Sequence, residues 1–182
     1  MKIFINPGHC PGVDSGAVNE KYGIEESAVV ASVGAGVKKY LEAAGHEVFC
    51  LQSHNLAGEA PEYISVCPMA NLWHADLFLS IHCNSFSNEQ AHGAECYVYE
   101  QWSEAYKLAY SVLDRLSTQL NLANRGVKVS ENMIVLKHTN MPAVLVELAF
   151  LSNQSDCFKL MYRQDDFARA IAGGVLDYIN VK

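Results

Sequence analysis

Three polar residues follow short apolar runs in this chain. His9 closes Asn6-Pro7-Gly8-His9, His82 closes Leu77-Phe78-Leu79-Ser80-Ile81-His82, and Glu147 follows Ala143-Val144-Leu145-Val146. Continuous apolar runs of this length are expected to be strands covered on both faces. Open α/β sheets place ligands beyond the carboxyl ends of their strands, so two imidazoles and a carboxylate there converge on one place. Glu26 joins them by another route. Positions 26, 30, 33, 37 and 41 share one helix face, and the other four are Val30, Val33, Val37 and Leu41. Glu26 therefore continues the stripe that must face the sheet, while Glu25 points away. A buried carboxylate needs a cation or hydrogen-bond donors, because an uncompensated buried charge is very costly. Attraction to the helix dipole would suit Glu25 equally and leaves the stripe unexplained.

Two histidines and a glutamate make a catalytic zinc shell, with three protein ligands and a fourth position left to water. One Zn²⁺ per chain is therefore predicted at His9, Glu26 and His82. Such an ion lowers the pKa of its water and polarises a carbonyl. A neighbouring carboxylate can then accept the water proton and pass it to a leaving nitrogen; Glu147 is predicted to be that group. Cys10 and Cys83 directly follow the two histidines, but successive side chains on a strand point to opposite faces. Both are predicted to be thiols that do not touch the metal. The remaining histidines, 46, 54, 74, 92 and 138, read as exposed or structural. No serine lies in G-x-S-x-G, which removes the local support for a serine hydrolase. Gly34 and Gly36 lack a third glycine because Lys39 fills that place, so no nucleotide site is assigned.

The elements that must position these groups alternate. Strands are predicted at 2–5, 47–51, 77–81, 94–99, 133–136 and 143–146. Helices are predicted at 25–44, 62–74, 103–120, 156–161 and 166–179. Residues 6–23 hold four Gly and two Pro and are expected to be loop. This alternation implies an α/β fold: a twisted, mixed but mostly parallel sheet of about six strands with helices on both faces. At 182 residues, half of them hydrophobic, the chain suits one catalytic domain over 1–182 with a substantial core. The net charge of −7 and the absence of clustered Lys and Arg argue against nucleic acid as partner. No apolar stretch reaches 18 residues, so no membrane span is expected, and no signal peptide is visible, since Asn6-Pro7-Gly8 interrupts the first apolar run. The six cysteines are scattered singly without C-x-x-C and are expected to be free.

With these residues in hand, the sequence resembles the N-acetylmuramoyl-L-alanine amidases of the amidase-3 type. The matching segments are Asn6-Pro7-Gly8-His9, Asp14-Ser15-Gly16-Ala17, Gly23-Ile24-Glu25-Glu26 and Ala70-Asn71. They continue with 75–84, Asn124-Arg125-Gly126-Val127-Lys128 and 142–153, in order along nearly the whole chain. The resemblance implies a zinc hydrolase that cuts the amide between N-acetylmuramic acid and L-alanine in peptidoglycan. It also implies His9, Glu26 and His82 as ligands and Glu147 as the catalytic glutamate. A monomer acting on the bacterial cell wall is the corresponding expectation. Cys10, Pro11 and Ala149 stand where the family usually has glycines, and the arginine that often precedes Ala70-Asn71 is missing. Two other classes compete with this reading. A zinc aminopeptidase or carboxypeptidase on a related fold would use two metals and recruit Asp14 or Asp76. A non-catalytic peptidoglycan-binding module would have lost Glu147 or a ligand.

Overall fold

A computed structural model describes residues 1–181. Its centre is a six-stranded sheet built from β1 (Lys2–Pro7), β4 (Glu47–Cys50), β5 (Leu77–Asn84), β6 (Ala94–Val98), β7 (Asn124–Val129) and β8 (Ala143–Phe150), in the order β4-β1-β5-β8-β6-β7. A two-residue pair, β2 (Val18–Asn19) and β3 (Ile24–Glu25), lies outside it. β4, β1, β5 and β8 run parallel. β6 runs antiparallel to β8, and β7 follows β6. The predicted mixed, mostly parallel sheet is therefore present, and the reversal has a direct effect. The carboxyl ends of β1, β5 and β8 and the amino ends of β6 and β7 meet along one rim.

Strand parity sorts the side chains. Ile3, Ile5, Leu77, Leu79, Ile81, Val144, Val146 and Leu148 enter a large core beneath α1 (Glu26–Ala43), α3 (Glu104–Leu120), α5 (Gln154–Tyr162) and α6 (Gln164–Val181). Val30, Val33, Val37 and Leu41 of α1 are all fully buried there, as their spacing requires. Burial of each stabilises the fold by about 1.5–3 kcal/mol. Gly34 and Gly36 permit this packing: a β-carbon would stand 2.7 Å from Pro7 at the first and 2.6 Å from Ala168 at the second. The opposite face carries Phe4, Phe78, Ala143 and Leu145, packed under α2 (Val66–Leu72) and α4 (Ile134–Lys137). α2 and α4 are one or two turns long and cover only the lower part of this face. Its upper continuation, through His82 and Glu147, is left partly open.

Two sequence expectations are corrected. The run Met133–Leu136 is not a strand; Ile134–Lys137 is a single helical turn. A short apolar run does not distinguish the two by periodicity. The missing strand is β7, which is polar, contains Gly126 and occupies the sheet edge, where no apolar pattern is required. The helix expected from 62 begins only at Val66. Pro68 is tolerated in a first turn, but in a helix begun at 62 its ring would strike the carbonyl four residues earlier. No described helix is long and apolar enough to cross a membrane.

Candidate metal centre

Each of the predicted residues reaches the rim by a different device. His9 lies just beyond β1 with φ at 59°, a left-handed conformation that costs a non-glycine residue about 1–3 kcal/mol. Its surroundings hold it there. Backbone hydrogen bonds close the 10–14 turn in both directions, Cys10 N–H to Asp14 at 3.0 Å and Asp14 N–H to Cys10 at 2.8 Å. The His9 Nδ1 lies 2.7 Å from Asp14 Oδ2, and Asp14 Oδ1 accepts from Gly16 N–H. With Nδ1–H donating to Asp14, the other nitrogen, Nε2, turns its lone pair inward.

Glu26 is the first residue of α1 and is 3% exposed, while Glu25 is exposed. Its carboxylate lies between the two imidazoles: Oε2 is 3.1 Å from His9 Nε2 and Oε1 is 3.0 Å from His82 Nδ1. Backbone N–H groups of Ala17 and Cys83 donate to the same two oxygens, each at 2.9 Å. Burial alone would raise the pKa of Glu26, but His82, His9 and Ala17 outweigh it and hold it down at about 2. The hydrogen bond to Glu26 is the largest influence on His9; burial opposes it, Asp14 adds to it, and the imidazole is raised to about 9. Two glycines leave room for this packing. A β-carbon on Gly8 would lie 2.2 Å from the His82 ring, and one on Gly16 would lie 2.6 Å from both His9 and Glu26 Oε2.

One donor atom from each of His9, Glu26 and His82 lies within 4.8 Å of the other two, and this is the only such group among the described residues. The chemistry of the donor set fits a divalent cation. Two nitrogens and a carboxylate face a common point, and neutral imidazoles with inward lone pairs need a proton or a metal ion there.

Glu147 occupies the next strand, paired in register with His82, and Glu95 of β6 is paired with Glu147. Glu147 lies within its strand, not at the end as the sequence suggested. Its Oε2 is buried and has no hydrogen-bond partner. Burial, then the charges of Glu26 and Glu95, raise its pKa to about 8.

The structure also separates residues that sequence left as options. Asp76 accepts from Lys2 N–H at the start of β1, the opposite end of the sheet from His9. Asp14 is engaged with His9. Cys83 offers its backbone N–H to Glu26 while its side chain joins the large core, 4% exposed. All six cysteines are free thiols. Sequence reasoning missed Glu95, which is 2% exposed and accepts from Asn84, Tyr97, Arg125 and Lys128. Its alternation with Tyr97 on one strand face was the available signal.

Comparison with known proteins bears on the family and the fold. The profile of the N-acetylmuramoyl-L-alanine amidase family of amidase-3 type matches residues 3–177. The amidase LytC of Bacillus subtilis is 35% identical over 97% of this chain, although the chain spans only 35% of that protein's length. The germination-specific amidase of the same organism is 30% identical, over 99% of this chain and 80% of its own length. Among solved structures, the amidase AmiC2 of Nostoc punctiforme superposes with a TM-score of 0.86 at 30% identity, covering 99% of this chain and 97% of that one. On the profile match and this whole-chain likeness, the chain belongs to the N-acetylmuramoyl-L-alanine amidase family.

Proposed function

We propose that this chain is a zinc-dependent N-acetylmuramoyl-L-alanine amidase, hydrolysing the amide between the lactyl group of N-acetylmuramic acid and the L-alanine of the stem peptide. The observation that carries the reading is the carboxylate of Glu26 fixed between His9 Nε2 and His82 Nδ1, with Glu147 one strand away. His9, Glu26 and His82 would hold one Zn²⁺. When bound, zinc supplies Lewis acidity, which polarises a carbonyl and makes water acidic near neutral pH.

The rest of the work falls to the chain. Asp14 fixes the tautomer and orientation of His9 through Nδ1. The N–H groups of Ala17 and Cys83 hold Glu26 in place. Glu147 accepts the proton of the attacking water and returns it to the leaving nitrogen, which lets the amine depart neutral. A base must be ionised. The pKa of about 8 reflects burial first and then the negative charges of Glu26 and Glu95, and with a divalent cation held beside those charges Glu147 would move back towards the carboxylate.

The proposed setting is a catalytic domain over 1–182, monomeric and acting on the bacterial cell wall, with peptidoglycan as its substrate. The test is digestion of purified peptidoglycan with zinc-loaded protein, followed by mass analysis. Stem peptides with a free amino-terminal alanine and intact glycan are expected. Release of single amino acids, or no release, would overturn the assignment.

A further inference from the structure

Glu95, Arg125 and Lys128 form a second charged group on the same rim. Residues 125 and 128 are three apart, so on a regular strand they would point to opposite faces. The β6–β7 register shifts between Ala94 and Cys96, which pair with Asn124 and Val127, so two residues of β7 oppose Glu95. Gly126, with φ at 87°, takes the extra position. This bulge resets the parity and brings both cations to one carboxylate. Arg125 Nε and Lys128 Nζ donate to Glu95 Oε2 at 2.7 and 2.6 Å. Asn84 and the Tyr97 hydroxyl donate to Oε1 at 3.0 and 2.8 Å.

Glu95 thus has every acceptor position filled and is buried, yet the two cations exceed its charge by one. Neither has a second carboxylate partner among the described residues, and both side chains keep more than a third of their surface exposed. Phe150 lies under the guanidinium at 4.8 Å and keeps it flat. A cavity of about 390 Å³ opens here, lined by Asn84, Phe86, Gln90, Arg125 and Phe150. A second cavity, about 280 Å³, lies across His9 and His82 and carries Asp14, His54 and Glu59. The row His82, Glu147, Glu95 spans adjacent strands, which puts the Glu95 backbone about 10 Å from that of His82 and the strand carrying the cations one spacing further.

We propose that Arg125 and Lys128, clamped by Glu95, form a subsite for a free carboxylate on the peptide side of the scissile amide. The proposal rests on the amidase reading. Of that substrate's two halves, the sugar with its amide-linked lactyl group is neutral, and the peptide carries free carboxylates. The peptide half belongs on the cationic side, and the sugar half on the side of Asp14 and Glu59. A planar guanidinium held by one carboxylate still offers donors to a second.

The test is calorimetric binding of the zinc-loaded protein to L-alanyl-γ-D-glutamyl-L-lysine, compared with the same peptide amidated at the second residue or at the carboxyl terminus. One of the two amidations is expected to weaken binding about tenfold, as loss of a charge-assisted hydrogen bond does, and so to identify which carboxylate is read. In Arg125→Met that difference should vanish, and in Arg125→Lys it should shrink but persist. Rising salt should narrow it in the wild type, a measurement that stands even where a variant fails to fold. Equal or absent binding of all three peptides by the wild type would overturn the subsite, as would discrimination that survives in Arg125→Met. Peptidoglycan digestion keeps the two readings apart. Discrimination without cleavage refutes the amidase assignment alone, and cleavage without discrimination refutes the subsite alone.

Discussion

Replacing Glu147 by Gln should separate catalysis from stability. In the metal-free fold the carboxyl of Glu147 is raised from 4.5 to about 8, chiefly by burial, and its Oε2 has no partner. An acid whose folded pKa lies above its unfolded pKa holds its proton more tightly in the folded state. Folding stability then falls as pH rises above 4.5, and the loss is complete only beyond about 8. Between pH 5 and pH 7 the wild type should lose about 2–3 kcal/mol through this group, at most about 1.4 kcal/mol per pH unit. Gln brings a fixed cost for its own unpaired amide but no such slope. The quantity to measure is therefore the difference in melting temperature between wild type and Glu147→Gln, in chelator, at both pH values. It should shift by about 5–10 °C in the variant's favour on going from pH 5 to pH 7, using about 2–4 °C per kcal/mol for a chain of this size. With zinc restored, the variant should keep its metal and lose activity by at least about 10²–10⁴-fold, the worth of a general acid–base group. A pH-independent difference would show that Glu147 is satisfied and ionised in the fold. Activity within tenfold of wild type would show that another group moves the proton, and loss of zinc would make Glu147 a ligand.

Further consequences can be measured directly. Gly8→Ala would put a methyl 2.2 Å from the His82 ring, which cannot stay where it is. Zinc affinity should fall at least as far as for loss of a supporting hydrogen bond, about 10–100-fold, with little change in the far-ultraviolet spectrum; unchanged affinity would show that His82 is not a ligand. Asp14→Asn removes the charge behind His9 Nδ1 and should cost about 10–100-fold in zinc affinity by equilibrium dialysis. With His9 raised to about 9 and Glu147 to about 8, both carry protons at pH 7 without metal. Zinc binding at that pH should release about two protons, and about one in Glu147→Gln, counted by calorimetry in buffers of different ionisation enthalpy. A count of zero would mean that neither group faces the ion.

Sequence carried the sheet and the centre of the site for one reason: both are written in buried side chains. The stripe from Val30 to Leu41 made Glu26 conspicuous because a carboxylate there breaks an apolar period. The apolar runs before His82 and Glu147 had to be strands, and their neighbours inherited a face. β7 was invisible because an edge strand with a bulge obeys neither apolar alternation nor simple parity. Glu95 could be placed on one strand face with Tyr97, but its burial could not be read, since it depends on two cations that only the bulge brings together. The left-handed turn at His9 could not be read either, because it is imposed by Asp14 and Gly16 acting together across the loop.

The parallel topology would also set a timetable for loading the proposed metal. Glu26 and His82 are 56 positions apart, and each is presented only once β1 and β5 lie side by side beneath α1. In the newborn chain no two of these donors are neighbours, so an ion has nothing local to grip, and closing so long a loop is slow relative to forming the helices between. A metal held there would come after the sheet. Removing such an ion should therefore leave a standing fold, unlike a small finger domain that collapses without its ion, because most of the core beneath α1 and α6 lies away from the rim.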